Sequence, residues 1–213
     1  MKIQIFEFNP VCEHTFVLYD DTKECIIIDP GCFFKEEKEK LAEFIASNDL
    51  IVKRLINTHL HFDHVFGCNF VSETYNVPLE ANKEDEFLLE QFPAQLRMFG
   101  FFNYAEPLPK IGKYLTEEDT IEFGNQKLDI LHIPGHSPGS LVYYNKAQNC
   151  LIAGDVLFRD GIGRTDLARG NNEQLISGIK NKLFTLPPET VVYPGHGPAT
   201  TIEYEKRNNS YLF

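Results

Sequence analysis

The sequence predicts an α/β fold with mixed β-sheets, and two observations support that prediction. Segments of strand character alternate with segments of helical periodicity, in the order strands, helix, strands, helix, repeated roughly twice. The 213 residues contain no low-complexity segment, no repeat at a fixed period and no obvious linker. We therefore expect a single compact domain over residues 1–213.

The first third of the chain is rich in strand signals. Pro30-Gly31 would end the third strand, and Leu41, Phe44 and Ile45 would line one face of the first helix. A run rich in β-branched residues then predicts a buried strand that leads directly into residues 58–64. The predicted elements are strands Lys2–Phe8, Thr15–Tyr19, Glu24–Asp29 and Ile51–Asn57, and helix Lys35–Ser47.

The rest of the chain continues the same alternation. Thr200 and Glu203 form a capping-box pattern for a final helix that ends at about Leu212. The other predicted elements are helices Asn82–Gln91 and Asn172–Phe184, and strands Thr120–Phe123, Lys127–Ile133, Leu141–Tyr144, Cys150–Ala153 and Val191–Tyr193.

Composition limits the classes of partner. The net charge of −11 and pI of about 5.1 argue against broad nucleic-acid binding, although a local basic pocket is compatible with both. The five cysteines form no C-x-x-C pair, which favours reduced thiols. The sequence shows no secretory pattern at its N-terminus and no long apolar stretch. We expect a cytoplasmic protein with no nucleic-acid or membrane partner.

The strongest chemical signal is Thr58-His59-Leu60-His61-Phe62-Asp63-His64. It follows a predicted buried strand, where side chains at i and i+2 point to the same side of an extended backbone. H-x-H-x-D-H is expected by chance in roughly 4 of 10,000 chains of this composition. The density of imidazole and carboxylate groups predicts a metal site.

Three more candidate ligands follow glycines at predicted strand ends: His136, Asp155 and His196. His14 precedes a predicted strand and His132 lies inside one, so we interpret both as structural. The donor set suits two divalent cations, with zinc, iron or manganese favoured over calcium. One cluster would contain His59, His61 and His136, the other Asp63, His64 and His196, and Asp155 could bridge them. Such a pair would supply a metal-bound hydroxide near neutral pH.

These motifs resemble the metallo-β-lactamase fold superfamily over essentially the whole chain. The resemblance implies a four-layer αββα sandwich with the metal ions at the edge between two mixed sheets. Two stretches, His136-Ser137-Pro138-Gly139-Ser140 and residues 154–166, are similar to short bacterial glyoxalase II-type enzymes. This second resemblance implies hydrolysis of S-acyl thioesters such as S-lactoylglutathione.

Two departures from full-length glyoxalase II concern the thiol carrier. The chain has 17 residues after His196, so we do not expect the helical domain that binds glutathione in that enzyme. Asp166 stands where the family has an aromatic residue near glutathione. Arg164 keeps the basic position and could bind a substrate carboxylate, or it could pair with Asp166.

In the predicted reaction, the hydroxide attacks the thioester carbonyl, a metal ion stabilises the oxyanion, and Asp63 could orient the hydroxide. The aromatic-rich segment Phe87–Tyr104 could be a lid over the substrate, although core packing or a subunit interface is favoured.

Several alternatives remain open at this stage. The first is a mononuclear iron persulfide dioxygenase of the same superfamily, and the second is a catalytically silent metal-binding protein. A β-lactamase is disfavoured because no export signal is visible, and a nuclease because of the acidic balance. A flavin-linked di-iron protein is disfavoured because such proteins usually have Glu at the position of His61.

Overall fold

The computed structural model describes residues 1–102, 104 and 106–213, which form two compact units. Unit 1 comprises residues 1–115 and 123–125, and unit 2 comprises residues 116–122 and 126–213. Each unit is built on one six-stranded sheet that mixes parallel and antiparallel pairing. The predicted α/β class with two mixed sheets is confirmed.

The sheet of unit 1 follows the order of the chain from its first strand to its sixth. The first three strands pair antiparallel, and the third to the sixth pair parallel. The elements are strands β1 Lys2–Phe8, β2 Glu13–Tyr19, β3 Glu24–Ile28, β4 Ile51–Ile56, β5 Leu79–Ala81 and β6 Ile111–Tyr114, and helices α1 Lys35–Ser47, α2 Cys68–Tyr75, α3 Glu86–Glu90 and α4 Phe92–Phe99.

Apolar strands make the core of this unit. Cys25, Ile26, Ile27 and Ile28 of β3 have no exposed surface, as expected for a strand with neighbours on both edges. Helix α1 buries Leu41 and Ile45, the face that the sequence predicts, against the same core. The carboxyl ends of β3 and β4 meet at one edge because the two strands are parallel.

The sheet of unit 2 has the order β14-β13-β10-β9-β8-β7. Strands β10 and β13 are parallel, so residues 154 and 194 come to the same edge. The elements are strands β7 Thr120–Phe123, β8 Gln126–His132, β9 Leu141–Asn145, β10 Cys150–Gly154, β11 Leu157–Phe158, β12 Gly161–Ile162, β13 Val191–Pro194 and β14 Thr200–Thr201, and helices α5 Asn172–Asn181 and α6 Ile202–Asn208.

Several predicted helix boundaries need correction. The final helix ends at Asn208, before a 3₁₀ turn, and not at about Leu212. The predicted helix Asn82–Gln91 is a 3₁₀ turn followed by the short helix α3. The predicted cap Thr200 belongs to β14 and pairs with Val192, and its hydroxyl donates to Glu205. The hydroxyl of Thr201 caps α6 instead, by accepting a bond from the N–H of Tyr204 at 3.2 Å. The predicted helix Asn172–Phe184 ends earlier, at Asn181, before a 3₁₀ turn.

The aromatic-rich segment Phe87–Tyr104, of which Asn103 lies outside the described residues, has some packed and some exposed side chains. Phe87 and Phe92 are buried, and the Tyr104 hydroxyl donates to the carbonyl of Phe66 at 2.6 Å. Met98 and Phe102 are each 74% exposed, so part of the segment remains on the surface.

None of the helices in the described part of the chain combines the length and the apolar character needed to cross a lipid bilayer.

Candidate metal centre

Four predicted ligands of unit 1 lie together on the loop that follows β4. The four residues are at most 8% exposed, and the last two lie on a 3₁₀ turn that begins at Phe62. The ring centroid of His59 is 4.8 Å from that of His61 and 4.1 Å from that of His64. His64 Nε2 is 3.8 Å from Oδ2 of Asp63.

Hydrogen bonds on the far side of two imidazoles orient them. His64 Nδ1 is 3.0 Å from Oδ2 of the buried carboxylate Asp29, which also accepts a bond from the Thr58 N–H at 2.6 Å. The Thr58 hydroxyl donates to Asp29 and therefore has its oxygen free to accept from His59 Nδ1 at 3.1 Å. Both rings then present Nε2 as a lone-pair donor, which is the arrangement that supports metal-binding histidines.

Side chains from several elements hold the peptide groups of this loop, which accounts for its fixed shape. These hydrogen bonds are Asn9 Nδ2 to the Asp63 carbonyl (3.0 Å), Asn57 Nδ2 to the His64 carbonyl (2.8 Å), the Leu60 N–H to Asp85 Oδ2 (3.2 Å) and the Phe62 N–H to Gln95 Oε1 (3.1 Å).

Two fully buried carboxyl groups lie behind the loop. Burial raises the pKa of Asp29, against the opposing effect of its bonds from His64 and Thr58. Burial also raises the pKa of Glu13 well above its usual range, and His64 opposes that shift. An oxygen of Glu13 accepts a bond from the Thr15 hydroxyl at 3.1 Å. Glu13 and Asp29 therefore form a buried polar cluster with the imidazole of His64.

The three predicted ligands of unit 2 lie close together, with the two imidazoles on either side of the Asp155 carboxylate. Asp155 follows β10, and His196 follows β13, the strand parallel to it. Oδ2 of Asp155 is 3.6 Å from Nε2 of His136 and 3.7 Å from Nε2 of His196. The side chain of His196 is 26% exposed, that of Asp155 13% and that of His136 3%. One carboxylate oxygen therefore lies between two imidazole nitrogens, and these three side chains could hold a cation.

The main chain orients His136. Its Nδ1 donates to the carbonyl oxygen of Arg164 at 2.8 Å, which leaves Nε2 on the side of Asp155. Gly163 makes this approach possible, because a Cβ there would overlap the carbonyl of Asp155 and lie 2.9 Å from Cβ of His136.

The guanidinium of Arg164 pairs with Asp166. Its Nε and one terminal nitrogen each donate to a carboxylate oxygen of Asp166 at 2.7 Å. The hydrogen bonds from Arg164 and from its own backbone lower the pKa of Asp166 to about 2. Both side chains are more than half exposed. Of the two sequence-based interpretations of Arg164, the ion pair is the one present in this structure.

The other two histidines take structural positions, as the sequence indicates. His14 lies within β2, not before it, with its ring 6.1 Å from that of Phe16. His132 is the last residue of β8, and its Nε2 donates to the carbonyl of Pro138 at 2.7 Å.

Sequence reasoning missed the residues that support the ligands, above all Asp29 and Thr58. A signal for the first was present: an aspartate follows an apolar strand and precedes Pro30-Gly31, much as Asp155 follows its own strand. The supporting role of Asn9, Asn57 and Gln95 has no comparable signal, because an isolated amide residue in a loop carries no pattern.

A family model matches most of the chain. The model described as the metallo-β-lactamase superfamily matches residues 9–196, which includes every predicted ligand.

Full-length relatives show the same similarity. The chain is 37% identical over 214 residues to a hydroxyacylglutathione hydrolase, GloC, of Haemophilus influenzae, covering all of this chain and 98% of the relative. It is also 37% identical over 213 residues to a probable metallo-hydrolase, YqgX, of Bacillus subtilis, with the same coverage of both chains.

Solved structures agree with these sequence matches. The BLEG-1 B3 metallo-β-lactamase matches with a TM-score of 0.88 at 34% identity, over 99% of both chains. TTHA1623 in a di-iron-bound form matches with a TM-score of 0.86 at 32% identity, over 98% of this chain and all of that one. The chain therefore belongs to the metallo-β-lactamase superfamily, a family of metal-dependent hydrolases.

Proposed function

We propose that the protein is a binuclear metal-dependent hydrolase of S-acyl thioesters. The observation that carries the proposal is the position of the Asp155 carboxylate between two imidazoles, at 3.6 and 3.7 Å from their Nε2 atoms. The proposed ligands are His59, His61, Asp63, His64, His136, Asp155 and His196. We also propose that residues 1–213 act as one functional domain, which the match of one family model to residues 9–196 supports.

The donor set fits two divalent transition-metal ions. Neutral imidazole nitrogens and carboxylate oxygens are the ligands that zinc, iron and manganese accept, and Asp29 and the Arg164 carbonyl hold the Nδ1 protons of two ligands. We propose two ions, with zinc as the first choice. The di-iron form of TTHA1623 keeps iron as the alternative.

Bound cations at these ligands would supply hydroxide near neutral pH and would polarise the carbonyl oxygen of a substrate. The protein's own groups do the positioning. The buried network under the loop orients the imidazoles of His59 and His64, with their Nδ1 atoms turned toward Thr58 and Asp29. The carboxylate of Asp63 could accept a hydrogen bond from an attacking water and so orient it.

The thioester class follows from the leaving group. A thiol has a pKa near about 8.5, so a thiolate leaves with little help from a general acid. None of the proposed roles requires such an acid. The name of the Haemophilus relative, a hydroxyacylglutathione hydrolase, supports the same class. Arg164 could recognise a substrate carboxylate once its ion pair with Asp166 opens, because surface ion pairs are weak.

We further propose a small-molecule substrate and a location in a reducing compartment such as the cytoplasm. Cys25, Cys32, Cys68 and Cys150 are buried as thiols, and burial raises the pKa of the Cys25 thiol to about 12. Proteins of reducing compartments keep their cysteines as thiols, whereas exported proteins commonly form disulfides.

The decisive experiment combines metal analysis with an activity panel on one preparation. We expect about two metal ions per chain and turnover of a small thioester. His61→Ala and Asp155→Ala should each lose metal and lower kcat/KM by about three orders of magnitude, whereas His14→Ala, outside the site, should match the wild type.

Other outcomes would contradict the proposal. Full metal content and full activity in both ligand variants would exclude this ligand set. Iron with oxygen uptake on a persulfide, and no thioester turnover, would favour a persulfide dioxygenase instead. Absence of any turnover by the metal-loaded protein would favour a silent metal-binding protein.

A further inference from the structure

Helix α6 contains a buried carboxylate to which the proposed reaction assigns no role. Glu205 has no exposed surface. Its Oε1 accepts a hydrogen bond from the Thr200 hydroxyl, and its Oε2 accepts bonds from the Asp160 N–H at 3.1 Å and from Asn209 Nδ2 at 2.8 Å. Burying a carboxylate is unfavourable unless donors surround it, and the three donors here come from three different segments of unit 2.

The first connection runs from α6 to the tip of the hairpin β11–β12. Residues 159 and 160 form the turn of this hairpin. Glu205 accepts a bond from the N–H of Asp160, and Asn209 donates to the carbonyl of Gly161 at 3.0 Å. Because both bonds reach main-chain atoms, the position of the hairpin tip depends on α6 and on the residue that follows it.

Surface contacts reinforce this first connection. The Tyr204 hydroxyl donates to Oδ1 of Asp160 at 2.9 Å, and the guanidinium of Arg159 lies over the Tyr204 ring, 4.7 Å from its centroid. Asp160 has a φ of 61°, a left-handed conformation that is unfavourable for a residue with a side chain. The bonds from α6 therefore hold the turn in a shape that the turn residue does not favour by itself.

The base of the same hairpin leads to two predicted ligands. Gly163 follows β12 directly and lies against the carbonyl oxygen of Asp155, which a Cβ at this position would overlap. The next residue, Arg164, provides the carbonyl oxygen that accepts a bond from His136 Nδ1 at 2.8 Å. A displacement of the hairpin would therefore reach the groups that orient His136.

The second connection runs to the segment that carries His196. Thr200 of β14 follows His196 closely in the chain, and its hydroxyl donates to Glu205. On the hairpin side, the ring centroid of Phe158 is 6.5 Å from that of His196. Glu205 therefore links the segment of His196 to the hairpin that lies beside it.

Resting on the proposed metal-dependent function, we propose that Glu205 is a positioning residue for the ligands of unit 2. It acts through the main chain of the hairpin and through Thr200, and so maintains the 3.6 and 3.7 Å separations of His136 and His196 from Asp155. Groups behind metal ligands contribute to metal affinity because they fix the direction of the donor atoms. Loss of Glu205 should therefore change metal binding and catalysis as well as stability.

Replacement of Glu205 tests this role, with zinc as the probe. Glu205→Ala removes the acceptor for all three donors, so the zinc affinity of the protein, titrated against a chelator, should fall about tenfold. At saturating zinc, its kcat for S-lactoylglutathione should also fall about tenfold, with KM within about twofold, because misplaced ligands affect the reaction more than substrate binding.

Glu205→Gln should restore the wild-type behaviour. The Gln amide oxygen can accept bonds from Asp160 and Asn209, and its NH₂ group can donate to the Thr200 hydroxyl, which accepts as well as donates. Zinc affinity and kcat should then stay within about twofold of the wild type. If Glu205→Ala fails to fold, Thr200→Val removes one of the three bonds and should lower the zinc affinity about threefold.

Two control variants on α6 separate positioning from stability. Ile202 is fully buried in the apolar core of unit 2, so Ile202→Ala should lower the melting temperature by about 5–10 °C. It leaves the bonds of Glu205 in place, and its zinc affinity should stay within about twofold of the wild type. Glu203→Ala removes an exposed carboxylate of the same helix and should change neither quantity.

The possible failures are distinguishable. Wild-type protein that binds zinc but does not turn over a thioester overturns the proposed thioesterase function, whereas the zinc titrations still test Glu205. Wild-type protein that binds no metal ion overturns both proposals. A Glu205→Ala protein with wild-type zinc affinity and kcat, or zinc losses that are equal in Glu205→Ala and Ile202→Ala, would overturn the positioning role alone.

Discussion

The set of proposed ligands has two halves, one in each unit, and the two halves are held in different ways. In unit 1, four proposed ligands lie within six consecutive residues, and side chains such as Asp29 and Asn57 form hydrogen bonds with that short loop. In unit 2, three ligands come from three separate strand ends, and the main-chain carbonyl of residue 164 orients one of them. The orientation of the proposed ligands in unit 1 therefore depends on which side chains surround them. In unit 2 it depends on the path of the main chain.

One feature is common to the two halves, and it sharpens the comparison. Each has a glycine packed against the carbonyl oxygen of an aspartate ligand. A Cβ on Gly31 would lie 2.6 Å from the carbonyl oxygen of Asp63, and a Cβ on Gly163 would overlap that of Asp155. A shift of the main chain at either contact would therefore also shift the aspartate, Asp63 or Asp155.

The largest expected effect is therefore a loss of stability from steric overlap, and it should be equal in the two halves. Gly31→Ala and Gly163→Ala should each cost about 3 kcal/mol, as overpacking against backbone does. The melting temperature of the metal-free protein should fall by about 10 °C. Calorimetry or circular dichroism measures it.

Gly197→Ala is the matched control. Its φ of +72° is strained for alanine, but a Cβ there meets nothing within 4 Å. We expect a cost of about 1 kcal/mol from strain alone. A Gly163→Ala protein as stable as this control would show that the backbone near Asp155 adapts, and the symmetry between the halves would fail.

Metal affinity should respond differently to one variant in each half. Asp29→Asn removes the charge that accepts the His64 Nδ1 proton and should weaken zinc binding about tenfold to a hundredfold. Arg164→Ala keeps the carbonyl that His136 uses, so its zinc affinity should stay within threefold of the wild type. Titration against a chelator of known affinity measures both. Equal affinities for the two variants would contradict the contrast.

The smallest effect concerns the exposed pair of Arg164 and Asp166. Because the folded-state pKa of Asp166 is lowered to about 2, its contribution to stability is present above the ordinary pKa and is lost as the pH falls toward 2. Both side chains are largely in water, so Asp166→Asn should leave the melting temperature at pH 7 within about a degree. A drop of several degrees would indicate a structural role for this pair.

The same contrast explains how much of the site the sequence could predict. The four ligands of unit 1 form a contiguous motif, and those of unit 2 each follow a glycine at a strand end, so all seven are visible as candidates. The supporting groups are not visible, because Asp29 and Asn9 reach the loop only through the pairing of distant strands. For residue 164, the sequence directs attention to the guanidinium, whereas the contact to His136 uses the carbonyl, which every residue type has.

The fold was predictable where patterns are long. Helix α1 and strand β4 appear within one residue of their predicted limits. Strand β5 was missed because three residues are too few to show a period. Helix α2 was missed because Cys68–Tyr75 directly follows the ligand motif, without a capping side chain to mark its start.

The strand order of unit 1 has a consequence for synthesis. Each strand of that sheet lies next to its neighbour in the chain, so pairing needs only short-range loop closure and can proceed as the chain leaves the ribosome. The loop with residues 59–64 is then translated, and its sheet partly assembled, before codons 136, 155 and 196 are read. A nascent chain would thus expose four of the seven proposed ligands to the cellular metal pool before the other three exist.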